Sequence, residues 1–234
     1  MAILIHGKNP VNEAIKASRK IYELYVLENH DQEIISSLDV RNIKVKKLNK
    51  QKMNQMFPPV HQGIGALVAD YETMTLEKSL AQAGSKLYIM LDSVEDPHNL
   101  GAILRSADAF GVTGVIIPKH RSAQITPTVV KVSSGAIEYV DIISVTNLNQ
   151  AIKTLKEHNV WVVGTDLETN QTLDAIHVDT DLCIVLGSEG KGLSRLIKEN
   201  CDYTVKIPMV GHVNSLNVSV SCGIILQDIV RRKG

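Results

Sequence analysis

From residue 86 onward the chain repeats one pattern: a short unbroken apolar run, a polar turn, then a stretch with apolar residues every three to four positions. The runs over 87–91, 114–117, 140–145, 160–164, 182–186 and 203–207 read as strands apolar on both faces, the second ended by Pro118. Helical periodicity fills 100–110, 148–158, 193–200 and 216–231. Strands alternating with helices predict an α/β fold with a parallel sheet covered on both faces. Ligands in such sheets gather at the carboxyl ends of the strands.

Residues 1–70 read differently. A helix over 11–19, entered through Pro10, precedes a strand over 22–27, a helix over 32–38 and a strand over 45–48. A short helix over 49–56 runs up to Pro58-Pro59, and an apolar strand over 64–69 follows Gly63. This is a small α/β module. Residues 71–85 are polar and close on Gly84-Ser85, as a linker with a helical turn or two does. The expected organisation is a domain over 1–70, a linker over 71–85 and a larger domain over 86–234.

Composition adds limits. With 234 residues and 44% hydrophobic positions, a packed core is easily built. No apolar run is long enough to cross a membrane, and the opening residues lack a secretory signal, so a cytoplasmic protein is expected. The three cysteines form no CxxC pair, and Cys183 and Cys222 lie in apolar stretches as buried thiols would. Eight histidines show no HxxxH spacing and no Cys/His cluster, so no metal site is expected. Net charge is zero, which argues against nucleic-acid binding by bulk charge. A local patch remains in Lys44, Lys46, Lys47, Lys50 and Lys52, readable as an RNA grip or as a solvated face. Arg231-Arg232-Lys233 reads as a solvated tail.

Candidate chemistry sits in three strand-to-helix junctions. In the first, Asp96-Pro97-His98-Asn99, Asn99 suits a helix N-cap. Arg105 follows apolar residues in the same helix and needs an anionic partner, for which Asp108 is at hand; His98 is the one histidine beside a motif. In the second, Gly187-Ser188-Glu189-Gly190-Lys191-Gly192, the glycines permit close backbone approach. The spacing matches neither phosphate-loop pattern, and Glu189 would repel a phosphate. A neutral or cationic ligand, or a bare tight turn, fits better. The third joins Ile207-Pro208-Met209 to Ser215-Leu216-Asn217. Ser215 or Asn214 could cap the final helix, while Asn217 is a poor helix former between two apolar residues.

Together the three motifs resemble those of the SpoU or TrmH branch of the SPOUT RNA 2′-O-methyltransferases, over nearly the whole chain. Residues 94–107, 185–194 and 207–221 are similar to the family's three motifs. Ser221-Cys222 departs from the alanines of many relatives, with packing the expected consequence. The resemblance implies a SPOUT domain with a deep trefoil knot, a rare exception to unknotted folds. It implies S-adenosylmethionine as cofactor, held by the backbone of Gly187, Ile207 and Leu216, flanked by Leu186 and Met209, with Thr165 near the adenine. It also implies a homodimer. Catalytic roles fall to Arg105, Asn99, Glu189, Ser215 and Asn217. Arg105 would act as base or as electrostatic stabiliser, Asn99 and Asn217 would position the ribose, Glu189 would orient Arg105 or its counterpart in the dimer, and Ser215 would lend a supporting hydrogen bond. The N-terminal module resembles the L30e-type RNA-binding domain of the RlmB subgroup, on the segments His6-Gly7-Lys8-Asn9-Pro10-Val11 and Pro59-Val60-His61-Gln62-Gly63. That subgroup modifies guanosine in 23S rRNA, and an end at Gly234 soon after the third motif favours rRNA over tRNA. A tRNA 2′-O-methyltransferase and a non-catalytic ribosome assembly factor are the alternatives.

Overall fold

The structure, a computed structural model, describes residues 2–30, 35–36, 43–188 and 190–233. The helix expected over 32–38 lies outside the described residues save for 35 and 36. Contacts divide the chain into two units, Met1–Glu72 with Ile125–Tyr139, and Thr73–Gln124 with Val140–Gly234. Elements are numbered along the chain.

The first unit contains β1 (Ala2–His6), α1 (Lys8–Lys16), β2 (Ile21–Leu27), β3 (Val45–Leu48), α2 (Lys50–Met56) and β4 (Ile64–Ala69). The sheet order is β1-β4-β2-β3. β4 pairs antiparallel with β1 and β2, while β3 joins β2 in parallel. Met53 and Phe57 of α2 and its C-cap close over Tyr25. Gly65 is a packing glycine: a Cβ there would stand 2.6 Å from Phe57 Cε1, where the ring already lies.

Residues 125–139, which the apolar pattern assigns to the second domain, cluster instead with this unit. They form α5 (Pro127–Val132), which packs on β1, and a 3₁₀ turn, Ala136–Glu138. A buried carboxylate must be paired. Glu138 accepts hydrogen bonds from Arg19 Nε and the Tyr71 hydroxyl, each at 2.7 Å, and the guanidinium lies 3.8 Å from the Tyr71 ring centre. Burial, then the Glu138 charge, pushes the Tyr71 phenol well up.

The second unit runs α3 (Leu76–Leu80), β5 (Leu87–Asp92), α4 (Pro97–Ala109), β6 (Gly114–Pro118), β7 (Asp141–Val145), α6 (Leu148–Glu157), β8 (Trp161–Thr165), β9 (Leu182–Gly187), α7 (Arg195–Asn200), β10 (Tyr203–Val205) and α8 (Val218–Lys233). Its six strands are all parallel, in the order β10-β8-β9-β5-β6-β7, as the apolar runs predict. Every residue of β5 is buried. From β5 the chain steps outward to β6 and β7, then returns to build the other half of the sheet, so direction reverses between β5 and β9. That reversal is where a doubly wound sheet opens a crevice. The start of the polar segment after residue 72 is packed: the Met74 N–H donates to Ile142 O at 2.8 Å and Met74 O accepts from the Ser144 N–H at 3.3 Å. No helix among the described residues is long and apolar enough to cross a membrane.

Candidate active site

The site begins where β5 and β9 end side by side. Asp92 closes an otherwise apolar strand and is buried. Its Oδ2 accepts the Ser194 N–H at 2.7 Å, and its Oδ1 accepts the Ser93 hydroxyl at 3.0 Å. Asp92 thus anchors the far end of the glycine loop that leaves β9. Within that loop the Gly192 N–H donates to Ser188 O at 3.0 Å. A Cβ on Gly187 would run into the Gly192 carbonyl group and the Leu193 amide nitrogen. Gly190 and Gly192 hold φ of 83° and 65°, the left-handed region that favours glycine. The loop's own backbone therefore requires glycine at Gly187, independently of any ligand. Glu189 lies outside the described residues.

The loop bounds a cavity of about 510 Å³, within the range of small-molecule sites, roughly 300–1,000 Å³. Leu186, Gly187, Ile207, Met209, Leu216 and Thr165 all line it, and so does Ser215. Leu193 and Val205 add apolar surface. The Thr165 hydroxyl is turned to Val185 O at 3.1 Å. On the rim, Lys198 meets Asp166 Oδ2 at 2.6 Å and Glu168 Oε2 at 3.2 Å, and these hydrogen bonds raise its pKa. Apolar walls beside backbone polar groups and rim charges of both signs suit a zwitterionic nucleoside, its base flat-faced and polar-edged.

Asn99 and Asn217, 118 positions apart, meet: Asn217 Nδ2 donates to Asn99 Oδ1 at 2.9 Å. This hydrogen bond ties the start of α4 to the start of α8, which pack on each other. Asn217 Oδ1 accepts from the Ser219 N–H at 2.9 Å, the Ser219 hydroxyl at 2.6 Å and the Val220 N–H at 3.3 Å. Asn217 therefore caps α8, rather than Ser215 or Asn214. One residue with a carbonyl facing its own helix and an amide facing another helix explains a poor helix former at that place.

Asp96, not Asn99, caps α4, because its Oδ1 accepts the His98 N–H at 2.8 Å and Pro97 needs no such bond. That hydrogen bond is the main reason the Asp96 carboxyl sits below its usual range. His98 is exposed, with Nδ1 3.1 Å from the same oxygen. Arg105 is exposed on α4. No group of His, Cys, Asp and Glu among the described residues could hold a metal ion.

The lysine patch is more neutral than it reads. Glu23 pairs with Lys46 at 2.7 Å and Lys44 at 3.2 Å, held down to about 2 first by the Lys46 hydrogen bond, then by Tyr25 and Lys44. Lys47, Lys50 and Lys52 are exposed. Nor is the C-terminal cluster only a solvated tail. Arg232 donates to Ile176 O at 2.9 Å and Leu173 O at 2.8 Å while pairing with Asp228 at 2.9 Å. The residues that sequence reasoning missed are Asp92 and Arg232. A lone carboxylate ending an apolar strand was a readable signal for the first; no local signal marked the second.

Known proteins share this architecture. Residues 86–227 match the model described as the SpoU rRNA Methylase family, and residues 4–74 match the one described as RNA 2'-O ribose methyltransferase substrate binding. A Bacillus subtilis protein named to the TrmH family of tRNA/rRNA methyltransferases, YacO, is 41% identical over 97% of this chain and 94% of its own. The SpoU methyltransferase AviRb from Streptomyces viridochromogenes, solved in complex with the cofactor AdoMet, superposes with TM-score 0.83 at 23% identity, covering 99% of this chain and 90% of that one. An AdoMet-bound rRNA methyltransferase from Sinorhizobium meliloti gives TM-score 0.82 at 24% identity, covering 99% and 87%. The chain belongs to the SpoU rRNA methylase family, a family of RNA methyltransferases.

Proposed function

We propose that this chain transfers the methyl of S-adenosylmethionine to a ribose 2′-oxygen of RNA, on a guanosine of 23S rRNA as in the RlmB subgroup. The observation that carries the reading is the cavity beyond the ends of β8, β9 and β10, into which the glycine loop, Ile207, Met209 and Leu216 all project surface. When bound, S-adenosylmethionine supplies an electrophilic methyl on a good leaving group. It then falls to the chain to bring up and activate the hydroxyl. The linked amides of Asn99 and Asn217 stand at the junction of α4 and α8 to orient the ribose. Arg105, exposed and permanently charged, holds the neighbouring phosphate and stabilises oxygen charge as it forms. Glu189 orients that arginine or its counterpart in the dimer, and Ser215 on the cavity wall adds a supporting hydrogen bond.

The reading includes the trefoil knot, an N-terminal RNA-binding domain with its exposed Lys47 and Lys50, a cytoplasmic setting and a homodimer. Exposed Val220 and Ile224, one turn apart on α8, support the dimer. Sedimentation of the purified protein measures it directly.

The test is transfer of labelled methyl to rRNA and tRNA from cells lacking the protein, with mapping of alkali-resistant ribose positions. One new 2′-O-methyl in 23S rRNA is expected. Label in tRNA alone would move the substrate to tRNA, and no transfer to RNA or ribosomal precursors would defeat the reading. Arg105→Ala is expected to abolish transfer while S-adenosylmethionine still binds.

A further inference from the structure

The first unit draws together three pieces of sequence with no carboxylate among them. The turn between α2 and β4 is locked by His61: its Nδ1 accepts the Gly63 N–H at 2.8 Å, so the ring is the neutral Nε2–H form, and Nε2 donates to Asn54 Oδ1 at 2.9 Å. This lock holds Gln62 at φ 57°, an unusual conformation for a side-chain-bearing residue. Gln62 Oε1 in turn accepts from the Lys8 N–H at 3.0 Å and from Lys131 Nζ at 3.2 Å. Lys131 reaches in from α5, and its ammonium rests on the face of Gly7, where any Cβ would collide with it. Gly7 stands at the N-cap of the nine-residue helix α1 and brings no side chain of its own, and Gln62 takes the Lys8 N–H in its place.

His6 completes the group. It is buried, and among the described residues its ring has no hydrogen-bond partner. Yet no side-chain nitrogen among those residues is both sealed from solvent and unbonded, so the unbonded nitrogens of His6 keep some contact with solvent. Burial first, then the Lys131 charge, lowers the His6 pKa, and burial alone lowers that of Lys131. No carboxylate is among the causes of either shift.

We propose that Lys131 and His6, beside the first turn of α1, form a site for one phosphate of the RNA backbone. An ammonium and an imidazole N–H meet there next to the positive end of a helix, donors that suit a phosphate. This deepens the RNA reading above and rests on it. It also unites the His6-Gly7-Lys8 and His61-Gln62-Gly63 segments in a single role, since the second aims the lysine and the glycine of the first makes room for it.

The experiment compares wild type, Lys131→Met and Lys131→Arg for binding of a 23S rRNA transcript across a range of KCl concentrations. Loss of one phosphate contact lowers the slope of log affinity against log salt by about 1 and weakens binding roughly three- to tenfold. Lys131→Arg should restore the slope, and thermal unfolding checks that the methionine variant folds. An unchanged affinity and slope in a folded Lys131→Met would overturn the site, even while wild type still methylates RNA. Absence of methylation by wild type would instead defeat the underlying reading. Inorganic phosphate, titrated against the His6 imidazole NMR signal, is expected to shift it in wild type and not in Lys131→Met. A phosphate response with RNA binding unaltered in the variant would also overturn the RNA assignment.

Discussion

Asn217→Ala is the most informative single substitution, because the side chain does two separable things. Its Oδ1 caps α8 through the Ser219 and Val220 N–H groups, and its Nδ2 donates to Asn99 at 2.9 Å. Losing an N-cap costs about 1 kcal/mol. Losing a hydrogen bond to a buried carbonyl costs about 1 kcal/mol more. Alanine should therefore cost about 2 kcal/mol, and Asn217→Ser, which keeps a capping oxygen but cannot reach Asn99, about half of that. In a double-mutant cycle with Asn99→Ala, a coupling of about 1 kcal/mol is expected. Urea unfolding followed by fluorescence of Trp161, the single tryptophan, reads the second unit directly. A loss below about 0.5 kcal/mol for alanine, or equal losses for alanine and serine, would refute the two-part account.

Three further outcomes follow from the geometry. Gly187→Ala should lower stability by more than the usual overpacking cost of about 1–3 kcal/mol and weaken S-adenosylmethionine binding, since its Cβ meets backbone; Gly190→Ala, facing open space, should cost less, and calorimetry ranks the two. The Glu23 carboxyl is depressed from 4.5 to about 2, so its stabilisation is complete above pH 4.5 and is lost as pH falls towards 2. Glu23→Gln should flatten stability over that window and, by releasing Lys44 and Lys46, tighten RNA binding at low salt; a profile parallel to wild type would contradict this. Arg232→Met should cost roughly 1–3 kcal/mol and speed hydrogen exchange around Leu173 and Ile176, whose carbonyls it caps.

What the sequence made legible was governed by local pattern. The parallel sheet followed from apolar runs such as 87–91 and 182–186, since a strand buried on both faces cannot hide polar residues. β1 escaped because it is five residues long with an exposed start. α5 escaped because Pro127-Thr128-Val129-Val130-Lys131-Val132 is rich in β-branched residues that favour strands, while the Thr126 cap and Pro127 at the first turn win locally. The contact that places residues 125–139 with the first unit, Glu138 with Arg19 and Tyr71, spans more than 60 positions and has no local signature. In the candidate site, the motifs pointed to cavity-lining residues and to the Asn99–Asn217 pair but misassigned both helix caps. Capping depends on which side chain the backbone turns inward, and both junctions offer several acceptable capping oxygens within a few residues, at Asp96 and Asn99 in one and from Asn214 to Asn217 in the other.

The placement of β5 between β6 and β9 has a consequence for how the molecule is made. One edge of β5 can pair as soon as residue 118 has left the ribosome, but the other must wait for β9, which ends about 95 residues after β5 does. At roughly 5–20 residues per second, the second edge of a strand that ends up buried throughout stays open for something like 5–20 s. The nascent chain should therefore be a strong client of ribosome-bound chaperones in that interval. The Asn99–Asn217 junction forms later still, since it waits for the start of α8.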